Sequence, residues 1–217
     1  MKTLAIIGQK GGTGKTTLAQ ILLVAFERAG FTACGFDLDP QTSLSSWGDL
    51  RDSDHPVIMP LPHSRLSNGL EAAEKDGVDV TIIDTAGRAE RAALDAAKAA
   101  DLVLLPLQPT SADLMTANAS ADLIKMAGDP MNAFLLVRVR PQGTRHKEAA
   151  DFLEGNGLSL CPATLSERVT YQDAAAAGQT PQEFDPDSKA ALECDHVFKF
   201  TCEHLNMSTT NNKKAAA

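Results

Sequence analysis

The 217-residue sequence predicts an α/β fold built on a mostly parallel, twisted sheet with helices on both faces. Three observations predict it. Short apolar runs alternate with amphipathic segments along most of the chain, a glycine-rich turn joins the first apolar run to the first helical pattern, and two apolar runs carry aspartates at their ends.

Leu4 to Ile7 reads as a short buried strand, and Leu18, Ile21, Leu22, Ala25 and Phe26 recur at helical spacing until Gly30 supplies a stop. Between them stands Gly8-Gln9-Lys10-Gly11-Gly12-Thr13-Gly14-Lys15-Thr16-Thr17. A strand, a glycine-rich turn and a helix in that order describe a phosphate-binding loop, in which backbone N–H groups converge on a polyphosphate at a helix N-terminus. Lys15 would then place its ammonium on the β- and γ-phosphates of ATP, and the Thr16 hydroxyl would ligate Mg²⁺.

Thr32 to Leu38 is the second strand, and it delivers Asp37, Asp39, Pro40 and Gln41 to its C-terminal edge. Ligands of open parallel sheets bind at that edge, and strand alternation would set Asp37 and Asp39 on one side. A short helix over 41–50 should pack Trp47 inward, Val57 to Leu61 is a third strand, and a helix from Leu66 ends near Gly77. Val78 to Asp84 is an apolar strand ending in a carboxylate and followed by Thr85-Ala86-Gly87. This looks like a Walker B strand entering a switch loop, with Asp84 holding Mg²⁺ through water and the Gly87 N–H sensing the γ-phosphate.

The remaining pattern is a helix over 89–100, a strand from Asp101 to Pro106, one helix from Ser111 to Met126, and a strand from Met131 to Val139. A short strand from Leu160 to Leu165 and a closing helix from Asp187 to Leu205 complete the domain, expected as one unit over 1–205 with a disordered tail over 206–217. Arg138 to Lys147 reads as a basic loop, with Arg140, Arg145 and Lys147 as candidate DNA-phosphate contacts and Arg138 either among them or beside the adenine. Pro109 and the Thr180 to Asp187 segment are further candidates for the adenine.

Composition narrows the function. With 20 Lys+Arg against 28 Asp+Glu the formal net charge is −8, so any DNA contact must be local. The four cysteines form no CxxC pair and read as buried free thiols of a reducing, cytoplasmic compartment. No apolar run approaches the roughly 20 residues of a membrane span, and the five histidines show no metal spacing.

Lys10-Gly11-Gly12-Thr13-Gly14-Lys15-Thr16-Thr17 resembles the deviant Walker A motif of the ParA/MinD ATPases, with Lys10 as the second, signature lysine. Asp37 to Gln41, Asp84 to Gly87 and the segment from Glu167 to Thr180 extend the resemblance. It implies a homodimer closed by ATP with each Lys10 on the partner's phosphates, Asp39 orienting the attacking water, and Asp37 and Asp84 supporting the Mg²⁺ shell. Slow hydrolysis, a small centromere-binding ParB-like adaptor, non-specific DNA binding and nucleoid association with ATP are likewise implied. The closest type is a small partition ATPase that begins at the phosphate loop, without an N-terminal helix-turn-helix. The same features suit a positioning ATPase for a non-DNA cargo, and a phosphate loop by itself also serves metabolite kinases or ligases, for which Lys10 would be unnecessary. The closing helix lacks the basic, apolar face of a MinD-type membrane anchor, and no cysteine between Cys34 and Cys161 is available for an iron–sulfur cluster.

Overall fold

The structure, a computed structural model, describes residues 1–87 and 89–208. Seven parallel strands form one sheet in the order β3-β2-β4-β1-β5-β6-β7: β1 (Lys2–Ile6), β2 (Ala33–Asp37), β3 (Val57–Pro60), β4 (Val80–Asp84), β5 (Leu102–Leu107), β6 (Met131–Val139) and β7 (Leu160–Ser166). The predicted class therefore holds. Because all strands run the same way, the segments following β1, β2, β4, β5 and β6 all emerge at one edge, with β1 between β4 and β5.

The helices are α1 (Lys15–Arg28), α2 (Ser43–Gly48), α3 (Leu66–Lys75), α4 (Glu90–Ala99), α5 (Ser111–Leu114), α6 (Ala117–Met126), α7 (Arg145–Gly155), α8 (Val169–Ala176), α9 (Pro181–Phe184) and α10 (Lys189–Leu205). Strand alternation sends Leu4, Ile6, Ile82 and Leu104 into a core shared with α1, α2 and α10. Ala5, Ile7, Ile83 and Leu105 enter the opposite core, against α3, α4, α6 and α7. Two separate apolar layers explain why the central strands read as unbroken hydrophobic runs.

Three expectations need correction. The helix expected from Ser111 to Met126 is broken, because Thr116 closes a tight turn: its N–H and its hydroxyl both donate to the Asp113 carbonyl, at 2.9 and 2.7 Å. The basic stretch to Lys147 is only partly a loop. Gly143 turns the chain at φ 98°, Thr144 then takes the N-cap position of α7 and donates to Glu148 at 2.6 Å, and Arg145 and Lys147 lie on that helix, held down by buried Ala149 and Leu153. Finally, β2 ends at Asp37, so Asp39 lies beyond the strand and strand alternation does not relate the two. The expected tail lies outside the described residues from 209 onward.

Trp47 is buried as expected, and Arg51 lies over its ring with the guanidinium carbon 4.7 Å from the centroid. Arg51 also ties the chain just after α2 to α9 and the turn before it: it donates to both Glu183 oxygens at 2.8 and 3.1 Å and to the Gly178 carbonyl at 3.0 Å. Glu183 completes a capping box with Thr180 at the start of α9. All four cysteines are free and buried, and burial pushes the Cys34 and Cys161 thiols up to about 11.

Burial alone would raise the Glu183 carboxyl, but the hydrogen bonds from Arg51 and Thr180 outweigh it and hold it below the ordinary value. A depressed carboxyl stabilises the fold above its unfolded pKa and loses that contribution as pH falls through the folded one. Arg51→Ala should therefore cost about 3 kcal/mol in urea denaturation at pH 7, and less as the pH falls through the depressed pKa of Glu183. A loss independent of pH would mean that packing on Trp47, not the ion pair, is what Arg51 contributes.

Candidate nucleotide site

The loop after β1 wraps the N-terminus of α1. Gly12 and Gly14 adopt left-handed backbone, at φ 75° and 82°, and no side-chain cap occupies the helix start, so its amides face the open edge. Lys15 is buried at 6% exposure, and its Nζ donates to the Lys10 carbonyl at 3.0 Å. Burial pulls the Lys15 ammonium below its usual value, while Asp84 and Asp39 nearby act in the other direction.

Thr16, the next residue, donates its hydroxyl to Asp84 Oδ2 at 2.7 Å. The loop thus joins the end of β4 through two of the three side chains expected around Mg²⁺, the third being Asp37. Asp84 Oδ1 is buried with no hydrogen-bond partner among the described residues. The carboxyl is pushed up to about 7, chiefly by burial; the Thr16 hydrogen bond and Lys15 lower it, and Asp37 and Asp39 raise it. An orphaned, desolvated carboxylate oxygen beside a hydroxyl is a hard-oxygen pair that fits Mg²⁺, whose other ligands would be phosphate and water.

Asp37 stands close by but is differently employed. One oxygen accepts the Asp39 N–H at 3.1 Å, and the other accepts the Ser45 N–H and hydroxyl at 2.9 and 3.1 Å. It fastens the loop between β2 and α2. Asp39 is half-buried, accepts the Gln41 N–H at 2.9 Å, and borders the open phosphate side.

A cavity of about 640 Å³ holds these groups together, with Gly12, Lys15, Thr16, Asp39, Gly87 and Arg138 in its wall. Gly11 and Thr17 also line it, whereas Thr13 is buried beneath, its hydroxyl 3.4 Å from the Lys10 carbonyl. Gly87 presses on the phosphate loop: a Cβ there would lie 2.7 Å from Gly11 N and 2.8 Å from the Lys10 carbonyl carbon. Only glycine lets the switch segment approach the loop this closely.

Arg138, the last but one residue of β6, stands at φ 50°, an uncommon conformation for a residue with a side chain, at an irregularity in the β6–β7 register. It also borders a second cavity of about 220 Å³, walled by Gly14, Thr17, Glu167, Tyr171 and Gln172. This cavity adjoins the first through Gly14, Thr17 and Arg138, and the 180–187 segment does not line it. Sequence reasoning grouped Glu167 to Thr180 without assigning Tyr171 or Gln172 to a wall. Glu193 organises that wall by accepting from Ser166, Arg168 and Tyr171, with the Tyr171 hydroxyl at 3.0 Å. Arg140 is exposed and paired with Glu167 at 3.1 Å, and with Arg145 it borders a third cavity of about 400 Å³ containing Pro109; Lys147 is exposed on α7 outside it.

Lys10 does not face the cavity with its ammonium. Its Nζ pairs with Asp113 at 2.8 Å and with the Ala112 carbonyl.

The family described as the CobQ/CobB/MinD/ParA nucleotide binding domain matches residues 4–181, which include the phosphate loop, Asp37, Asp39, Asp84, Gly87 and Arg138. The chain belongs to this family. It is similar to protein ParA of Rhizobium radiobacter, 27% identical over 79% of this chain and 81% of that one. It is equally similar to maintenance of carboxysome distribution protein A of Gloeobacter kilaueensis, 27% identical over 94% of each chain. Among solved structures, the septum site-determining protein MinD of Pyrococcus horikoshii, complexed with Mg-ADP, superimposes with a TM-score of 0.75 at 20% identity, covering 92% of this chain and 95% of that one. That likeness is one of fold. The ParA/MinD-type ATPase family read from the loop and the two aspartate-bearing strands is thus the family found. Among the described residues no helix is long and apolar enough to cross a membrane.

Two predictions follow from the geometry. Asp84 carries a raised pKa, so its protonated form stabilises the fold at low pH and that contribution is lost as pH rises through about 7. Asp84→Asn should raise the melting temperature of the nucleotide-free protein at pH 8 by several degrees while abolishing any tightening of nucleotide binding by Mg²⁺; an unchanged Mg²⁺ response would remove Asp84 from the metal site. Gly87→Ala should weaken nucleotide binding about tenfold or more in calorimetry, because its methyl group drives the Lys10–Gly11 peptide out of place.

Proposed function

We propose that the chain is an Mg²⁺-dependent ATPase whose bound nucleotide controls self-association, working as a DNA partition ATPase. The observation that carries the reading is the Thr16–Asp84 contact at 2.7 Å beside buried Lys15. It supports reading Thr16 and Asp84 as a cation-binding pair and Lys15 as a phosphate-binding ammonium at the start of one helix.

ATP supplies a phosphoanhydride whose terminal phosphoryl group can pass to water. The protein's part is positioning and charge neutralisation. Gly11 to Thr17 would cradle the phosphates through main-chain N–H groups, Lys15 would meet the β/γ-oxygens, and Thr16 and Asp84 would hold Mg²⁺, with Asp37 stiffening the neighbouring loop. Asp39, on the open side, would orient the attacking water. Arg138, Tyr171 and Gln172 would flank the nucleoside. In a dimer Lys10 would reach the partner's nucleotide, an arrangement supported by the two-lysine loop shared with the family.

Slow turnover, stimulated by a small ParB-like adaptor, completes the proposed cycle. Arg140 and Arg145, which share the third cavity, and Lys147, all exposed, are the proposed contacts for non-specific DNA, which would bring the ATP-bound dimer from the cytoplasm to the nucleoid. The reading treats 1–205 as one ATPase domain. A second reading is favoured by the similarity to the carboxysome distribution protein: the same ATPase cycle positioning a protein cargo.

Light scattering of Asp39→Ala with MgATP and with MgADP tests the cycle: a dimer with ATP alone is expected, and a monomer in both sinks the switch. Arg140→Ala together with Arg145→Ala should then lower DNA affinity about tenfold and flatten its salt dependence, leaving nucleotide affinity intact. Unchanged DNA affinity would return the choice to the protein-cargo reading.

A further inference from the structure

The phosphate loop is fastened at two points to the segment that follows β5. Lys10 Nζ donates to Asp113 Oδ1 at 2.8 Å and to the Ala112 carbonyl, and Gln108 Nε2 donates to the Gly12 carbonyl at 3.1 Å. Asp113 is set for this contact. It is 8% exposed, its second oxygen accepts the Gln108 N–H at 3.2 Å, and its own N–H donates to the Thr110 hydroxyl at 3.3 Å, so the carboxylate has little freedom to turn away.

Fastening the Lys10 side chain outward fixes its main chain inward. The Lys10 carbonyl accepts Lys15 Nζ at 3.0 Å and faces the Thr13 hydroxyl at 3.4 Å, while Gly87 packs against the same peptide. The ammonium that would bind phosphate is therefore occupied by an oxygen of the loop itself. A phosphate oxygen and the Lys10 carbonyl compete for Lys15, and the peptide can swing aside only if the Lys10 side chain lets it.

We propose that Asp113 is a positioning residue that, through Lys10, holds the phosphate loop in a self-occupied form, so that nucleotide binding and release of Lys10 from Asp113 are coupled. This rests on the nucleotide reading of the site. Apparent affinity is then the intrinsic affinity reduced by the fraction of loops already open. The Lys10 side chain is 34% exposed against 11% for Asp113, so the pair shifts that fraction severalfold rather than by orders of magnitude. The ammonium released is also the one the proposed dimer uses, which makes Asp113 a threshold on self-association.

The test is the MgADP dissociation constant, measured by calorimetry so that dimerisation does not enter. Asp113→Asn keeps an acceptor for the Gln108 N–H and removes the charge; it should bind MgADP about three- to tenfold more tightly than the wild type. Asp113→Glu should restore part of the wild-type value. In a Lys10→Ala background the Asp113→Asn change should have no effect, since the coupling runs through Lys10. Unchanged or weaker MgADP binding by Asp113→Asn overturns the proposal, as does an equal effect with Lys10 absent. Should Asp113→Asn fail to fold, Lys10→Met, which cuts the same pair from its other side, carries the same expectation of tighter MgADP binding, and unchanged or weaker binding refutes it. Failure of the wild type to bind MgADP would overturn the nucleotide reading instead.

Discussion

Burying the ammonium of Lys15 is the constraint on which the rest of the edge depends. At 6% exposure it has lost most of its hydration, and Asp84, Asp39 and the Lys10 carbonyl are what it has in return. Those three groups come from three different segments. Holding one charge therefore fixes where β1, β2 and β4 end relative to one another. The parallel order with β1 beside β4 is what makes such convergence possible, since strand ends on one edge are the only places where those segments meet.

The same constraint explains why the site is electrostatically poised. Asp84 cannot be fully relieved by Thr16, because one oxygen has no hydrogen-bond partner among the described residues and Asp37 adds repulsion from the neighbouring strand. A divalent cation would relieve all of these at once. Asp37, with its carboxylate committed to Ser45 and Asp39, keeps the facing loop in place, so the two aspartates on adjacent strands divide the work.

Much of this was legible in the sequence because it is local. The glycine spacing, the helix beginning at Lys15 and the strand ending at Asp84 are each set within about ten residues, and period-two alternation reports both covered faces of the sheet. What the sequence hid was non-local. Nothing near Asp113 announces that it will meet Lys10, 103 residues away, and Tyr171 is held in the wall of the second cavity by Glu193 of α10. The break at Thr116 and the helix beginning at Arg145 were missed for another reason: each turns on one hydroxyl whose partner periodicity does not reveal.

The central claim is that Lys15, Thr16 and Asp84 form a binding site for a magnesium nucleotide. Its most direct test is calorimetric titration of MgATP into the wild type and into Lys15→Ala, with folding of both verified by circular dichroism. The account predicts saturable one-to-one binding by the wild type and loss of at least a hundredfold in affinity in the variant. Equal affinity in the two proteins would contradict it.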